Sequence, residues 1–316
     1  MKILANDGID PKGKLLLEQA GYTVDTVHIP QEELAEKLQE YSVISVRSAT
    51  KVRKELIDLC PNLKVISRGG VGMDNIDVEY ARSKGITVIN TPAASSLSVA
   101  ELVFAHLLNA VRFLYDSNRE MPNEGTKKFG ALKKKYAKGI ELRGKVLGVV
   151  GFGRIGQQTA KVALGLGMEV VYSDLFQGPE NLELELAHQT KVKVPVKQIS
   201  FEELIKQSDF ITLHVPFTDK ALIGKEEFAK MKDGVGIVNA SRGGVIEESA
   251  LLEALDSGKV AFAGLDVFEG EPVPKEAVLK HPKVSLSPHI GAATMEAQER
   301  IGEELAHLII EALSEH

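Results

Sequence analysis

The chain has 316 residues, on the order of two domains at roughly 100–200 residues each. Its 38 Lys and Arg against 44 Asp and Glu leave a net charge of −6, which excludes the polycationic field of a nucleic-acid binder. Hydrophobic residues at 44% and charged residues at 26% are the balance of a chain that buries full cores, so wholesale disorder is excluded as well. One cysteine, Cys60, allows no internal disulfide and fits a reducing compartment. No stretch reaches the roughly 18 uninterrupted apolar residues of a membrane span. The opening MKILANDGID turns polar too early for a secretory leader and reads as a first strand, so a cytoplasmic protein with no membrane partner is expected.

In chain order, short β-rich runs alternate with amphipathic stretches. Strands are predicted at Lys2–Ala5, Tyr22–Val27, Val43–Val46, Lys64–Ser67 and Thr87–Ile89, with helices over Lys12–Ala20, Gln31–Gln39 and Val52–Leu59. Gly21 and Gly85 stand where helix C-caps precede a strand. The alternation predicts a parallel sheet covered by helices on both faces. A long helical pattern follows from about Ser96 to Asn118, and then EMPNEGTKKFGALKKKYAKGIELRGK, polar, basic and poor in periodicity, reads as an exposed connection or arm. A second alternation places strands at Val146–Val150, Glu169–Ser173, Phe210–His214, Gly236–Asn239, Ala261–Leu265 and Val284–Leu286, and a helix over about Thr294–Leu313 closes the chain. The fold class predicted is α/β with two doubly wound parallel-sheet domains.

The segment VLGVVGFGRIGQQTAKVALGLGMEVVYSD carries the most information. An apolar strand runs into GFGRIG, a helical pattern follows, and a second strand ends at Asp174, 23 residues after Gly151. Gly151 permits a tight turn, Gly153 lets a pyrophosphate approach the backbone, and Gly156 allows close helix–strand packing. The helix N-terminus beginning at Arg154 and Ile155 offers free N–H groups to phosphate. Asp174 is placed to accept from the adenosine ribose hydroxyls and would repel a 2′-phosphate, so NAD is expected over NADP.

Polar residues also gather at the predicted strand ends, where open α/β sheets bind ligands. They form the runs His214–Thr218, Ala240–Gly244, Asp266–Pro272 and Ser287–Ala292. One arginine, several carboxylates and a histidine suit hydride transfer at an α-hydroxy or α-keto acid. The histidine moves the hydroxyl proton, a carboxylate fixes its tautomer, and the guanidinium grips the substrate carboxylate. Position alone does not choose between His214 and His289 as the base, nor between Glu269 and Glu271 as its partner. The remaining histidines in this reading, His106 among them, stand in no motif and are expected to be surface or packing residues.

The motifs NASRGG, GLDVFEGEP and SPHIGAAT, in that order after GFGRIG, resemble the D-isomer-specific 2-hydroxyacid dehydrogenase family over nearly the whole chain. The resemblance implies that Arg242, Glu271 and His289 are catalytic and that Asp266 contacts the nicotinamide amide. It implies cofactor contacts at Gly151, Gly153, Arg154, Ile155, Gly156, Asp174, His214, Val215, Pro216, Thr218, Ala240, Ser241, Asp266, Gly291 and Ala292, with NAD as cofactor and no metal. It further implies a substrate domain of residues 1–96 and 287–316 with a flavodoxin-like sheet, into which a Rossmann cofactor domain of residues 97–286 is inserted. The site would lie in the cleft between them, and a homodimer would be the working form.

VRSATKV, SRGGVGMDNID and NTPAASSLSVAEL look most like the D-3-phosphoglycerate dehydrogenase branch. That likeness implies a phosphate contact at Arg47, a carboxylate site on the backbone of Gly70, Val71 and Gly72, and substrate contacts also from Arg242 and His289. Two departures stand out: Ser95 falls where that branch often has asparagine, and the chain has no tryptophan for the arm. The sequence stops just after the closing helix, so a form without a serine-binding regulatory domain is expected. The other readings are the same chemistry on an unphosphorylated acid such as glyoxylate, hydroxypyruvate or D-lactate, and, more remotely, a nucleotide-sensing corepressor-like scaffold.

Overall fold

The computed structural model describes residues 1–314; Glu315 and His316, at the end of the 287–316 segment, lie outside the described residues. The chain divides into two units, Met1–Ser96 with Ala292–His316, and Leu97–Gly291.

In the first unit, strands β1 (Lys2–Ala5), β2 (Thr23–Asp25), β3 (Val43–Val46), β4 (Val65–Arg68) and β5 (Thr87–Asn90) form a five-stranded sheet in the order β2-β1-β3-β4-β5. Every pairing is parallel. This is the flavodoxin-like order of a doubly wound sheet. Alternate residues feed two cores, as the pleat requires. Ile3, Val43 and Val65 pack with Leu17 and with Ala306, Ile309 and Leu313 of the closing helix Met295–Ser314. Leu4, Ile44 and Ile66 pack on the other face with Leu34, Leu38, Leu56 and Ala81. The expected helix over Gln31–Gln39 is shorter, one α-turn at Leu34–Lys37 continued by a 3₁₀ turn to Glu40, and the second strand ends at Asp25.

The second unit holds β6 (Val146–Val150), β7 (Glu169–Ser173), β8 (Asn181–Glu185), β9 (Lys191–Pro195), β10 (Lys197–Gln198), β11 (Phe210–Leu213), β12 (Val235–Asn239), β13 (Val260–Leu265) and β14 (Val284–Leu286). Seven of these make a parallel sheet in the order β10-β7-β6-β11-β12-β13-β14, the Rossmann order with one further strand. The remaining pair, β8 and β9, forms an antiparallel hairpin. Register lines up Ser173, Val150, Leu213, Asn239, Leu265 and Leu286 across neighbouring strands. The residues that follow them (Asp174, Gly151, His214, Ala240, Asp266 and Ser287) therefore share one carboxyl edge.

Three expectations need correction. The helical pattern from Ser96 to Asn118 is broken at Phe113, whose φ is 53°, into Ser96–Val111 and Leu114–Lys135, and the latter is kinked again at Lys128, whose φ is −127°. The lysine-rich stretch read as an irregular arm is thus mostly helical, buries Gly125 and Leu132, and is braced by Lys128–Glu124 and Lys135–Glu120 ion pairs. The second domain boundary follows Gly291 instead of preceding Ser287, because the amides of Ile290 and Gly291 and the Ser287 hydroxyl are all bound to the Asp266 carboxylate. Among the described residues no single helix is long and apolar enough to cross a membrane. The most apolar one buries Val103, Phe104 and Leu107 in the core of its own unit.

Candidate active site

The glycine loop joins β6 to the helix Arg154–Gly165. Gly151 has φ +87°, and a Cβ there would stand 2.5 Å from the His214 carbonyl oxygen. A Cβ on Gly156 would stand 2.1 Å from the Gly151 carbonyl oxygen, so the turn and the helix close on each other only with glycine at both positions. Asp174 ties the loop to the end of β7, accepting from the N–H of Phe152 at 2.6 Å and of Phe176 at 3.0 Å. Arg154 is exposed and Ile155 half-buried in the first turn of the helix.

At the far strand ends, His289 Nδ1 lies 2.8 Å from Glu271 Oε2. The other Glu271 oxygen accepts the Phe268 N–H at 2.8 Å. Partial burial raises the Glu271 pKa, but the hydrogen bonds from His289 and Phe268 and the charges of His289 and Arg242 outweigh it, leaving the carboxyl below its ordinary value. An ionised carboxylate only accepts, so Nδ1 carries its proton and Nε2 is left to exchange one with a ligand. His289 itself has φ 55°, a conformation a non-glycine side chain rarely adopts. It is held there by Asp266, 1% exposed, which accepts the N–H groups of the next two residues, Ile290 and Gly291, each at 2.8 Å.

His214 and Glu269, the other members of the two pairs, stand in different surroundings. His214 bonds Thr212 Oγ1 through Nε2 at 3.0 Å, and no carboxylate meets either nitrogen. Burial pushes its pKa down to about 3, so it stays neutral. Glu269 is occupied elsewhere, exchanging backbone hydrogen bonds with Glu248 and pairing with Lys275. Arg242 sits half-buried on a loop organised by Asn239, whose amide donates to the Arg242 carbonyl at 2.9 Å and whose oxygen accepts from Ser241 N and Oγ. Asn239 escaped the sequence reading, although a polar residue ending the apolar run GIVN was the available signal.

Val215, Pro216 and Thr218 follow β11 on a largely exposed loop, Ala240 is half-buried, and Gly291 is buried behind Asp266. Ala292 opens the return to the first unit, where its carbonyl accepts from Gln298. In that unit Arg47 follows β3 and Arg68 ends β4, with Val46 and Arg68 paired in register. The Asp7 carboxylate fixes this turn, accepting from Arg47 N at 2.7 Å and from Thr50. One expectation fails in detail: the Gly70 N–H is spent on Thr91 Oγ1 at 2.8 Å, and the Gly69 N–H on the Val46 carbonyl. Only Val71 and Gly72 of this stretch retain N–H groups for a ligand.

The sequence pattern described as "D-isomer specific 2-hydroxyacid dehydrogenase, NAD binding domain" matches residues 104–291. A hydroxypyruvate reductase of Thermotoga maritima is 44% identical over 99% of this chain and 98% of its own. The chain belongs to the D-isomer specific 2-hydroxyacid dehydrogenase family. A D-3-phosphoglycerate dehydrogenase of Methanocaldococcus jannaschii is also 44% identical to this dehydrogenase over 99% of its length, which spans 57% of that longer relative. The crystal structure of a glyoxylate reductase from Paecilomyes thermophila superposes with a TM-score of 0.84 at 31% identity, covering 99% of this chain and 95% of that one.

The dehydrogenase uses NAD(H), and two features without a reason inside the protein fit it. Gly153 has an ordinary φ of −69° and nothing within 4 Å of where a Cβ would stand, so the chain itself does not demand glycine there. Among the described residues His214 Nδ1 finds no partner although it is buried, a cost that a bound ligand would relieve. The nicotinamide, when bound, takes or gives the hydride. The glycine loop and the carboxyl edge of the sheet are the parts of this unit that would hold it. Asp174 should discriminate against a 2′-phosphate by like-charge repulsion. Because Asp174 is only half-buried, kcat/KM with NADH is expected to exceed that with NADPH by about tenfold or more, and equal values would contradict this role.

Proposed function

We propose that the dehydrogenase interconverts D-3-phosphoglycerate and 3-phosphohydroxypyruvate. In oxidation His289 Nε2 takes the C2 hydroxyl proton, Glu271 steadies the resulting imidazolium, and Arg242 grips the C1 carboxylate and polarises the C2 oxygen. The observation that supports the phosphorylated substrate is the placement of Arg47 just after β3, with its side chain beside Gly69 at the start of the glycine turn that follows β4 on the neighbouring strand. Val71 and Gly72 would add backbone N–H groups. The reading extends to a small-molecule enzyme of the cytoplasm on a serine-forming route, working as a homodimer. It involves neither nucleic acid nor membrane, in keeping with the net charge of −6.

A second reading, reduction of hydroxypyruvate or glyoxylate, is favoured by the near-full-length match to the Thermotoga hydroxypyruvate reductase. Initial rates with NADH separate the two. The phosphorylated keto acid should be preferred, and Arg47→Ala should lower its kcat/KM by about 10–150-fold, the worth of a lost charge-assisted hydrogen bond of roughly 1.5–3 kcal/mol. Turnover of hydroxypyruvate should barely change. Faster native turnover of hydroxypyruvate would select the second reading, and equal losses on both substrates would mean that Arg47 holds the domain together or meets the carboxylate.

A further inference from the structure

The helix Ser96–Val111 presents an apolar stripe to the core of its unit, yet His106 stands in that stripe with 4% of its surface exposed. Room for it is made by Gly264 on β13, where a Cβ would stand 2.7 Å from the His106 Cβ. A leucine would satisfy the packing there, and a buried imidazole is costly unless both nitrogens are bonded. Both are: Nδ1 lies 2.8 Å from Ser285 Oγ and Nε2 lies 2.9 Å from Ser287 Oγ.

The direction of these bonds follows from their far end. Ser287 Oγ lies 2.6 Å from Asp266 Oδ1, and an ionised carboxylate can only accept, so the serine spends its one proton there. Ser287 must then accept from His106 Nε2–H. A neutral imidazole with its proton on Nε2 accepts at Nδ1, so Ser285 donates to it, and Ser285 in turn accepts from the Asn109 amide at 3.1 Å. Burial favours the neutral ring by lowering its pKa, while the Asp266 charge works in the opposite direction. The result is a one-way chain from Asn109 through Ser285, His106 and Ser287 to Asp266.

We propose that His106 is a positioning residue for the acid–base step: through Ser287 it sets the orientation of the Asp266 carboxylate, which holds Ile290 and Gly291 and so keeps His289 in its left-handed conformation facing Glu271. A non-glycine residue in that region costs about 1–3 kcal/mol unless its surroundings enforce it. The Asp266 carboxylate supplies the enforcement, and a carboxylate free to rotate would share its lone pairs less favourably between two amides. The inference rests on His289 as the acid–base group.

The test compares His106→Leu, His106→Gln and Ser287→Ala with the native enzyme. His106→Leu should lower kcat by about tenfold, the scale of one buried hydrogen bond, with KM for the keto acid within about twofold of native. His106→Gln, which returns an N–H near the Nε2 position, should recover most of the loss. The His106→Leu/Ser287→Ala double variant should lose no more than Ser287→Ala alone, since both cut the same chain. A folded His106→Leu enzyme with native kcat, or additive losses in the double variant, would overturn the proposal. Should His106→Leu fail to fold, Ser287→Ala decides alone: a fall in kcat supports the chain, and a native kcat overturns it. Failure of the underlying reading looks different, because His289→Ala would then retain activity whatever His106 does.

Discussion

His289→Ala is expected to lower kcat by roughly 10²–10⁴-fold, the usual contribution of general acid–base catalysis, while leaving NADH affinity near native. Among the described residues His289 is the one histidine whose ring meets a carboxylate held below its ordinary pKa, Glu271 at 2.8 Å, and whose other nitrogen is left for a substrate. Burial holds the His214 ring well below the usual imidazole range, and its Nε2 is tied to Thr212. His214→Ala should therefore appear in the affinity for NADH and only weakly in kcat. The reverse pattern, with turnover abolished by His214→Ala and preserved by His289→Ala, would exchange the two roles.

Glu271→Gln is the second large effect, expected to cost about 10²-fold or more in kcat. Replacing an orienting carboxylate by an amide leaves the geometry near native but permits the wrong tautomer, and the positive ring that forms during oxidation loses its counter-charge. Glu271→Gln should therefore change the shape of the pH profile as well as its height. Because the Glu271 carboxyl titrates below its ordinary value, the native pair should persist into the acid range and fail only as that group takes up a proton. A Glu271→Gln profile that superposes on the native one after scaling would mean Glu271 braces the Phe268 turn and does nothing for the ring.

Much of this was legible in the sequence because each signal was local. Runs such as VLGVV and VISV are buried along most or all of their length, so no competing periodicity disguised them. The strand ends carried the polar residues, and parallel register brought them to one edge. What escaped depended on contacts distant in sequence. The stretch Leu114–Lys135 contains Pro122, Gly125 and Gly130, which argue against a helix, but its Glu, Lys, Leu and Ala residues together with spaced ion pairs prevail. The hairpin of β8 and β9 did show alternation in NLELE and KVKVP, overlooked among helical crossovers. His106 offered no signal, since its partners Ser285 and Ser287 are 179 and 181 residues away. Spacing did not separate Glu271 from Glu269, two positions apart; the family motif pointed to Glu271, and its contact with His289 is visible only in side-chain geometry.

We propose that this chain moves a hydride between NAD(H) and C2 of a D-configured 2-hydroxy acid and handles the proton at His289. The most direct measurement supplies NADH deuterated at C4 of its nicotinamide together with 3-phosphohydroxypyruvate or hydroxypyruvate, and then locates the label and the configuration in the product. Deuterium at C2 of a D-configured acid, formed by the native enzyme and slowed by roughly 10²-fold or more in His289→Ala, is the predicted result. Label lost to solvent, an L-configured product, or equal rates in the two enzymes would contradict it.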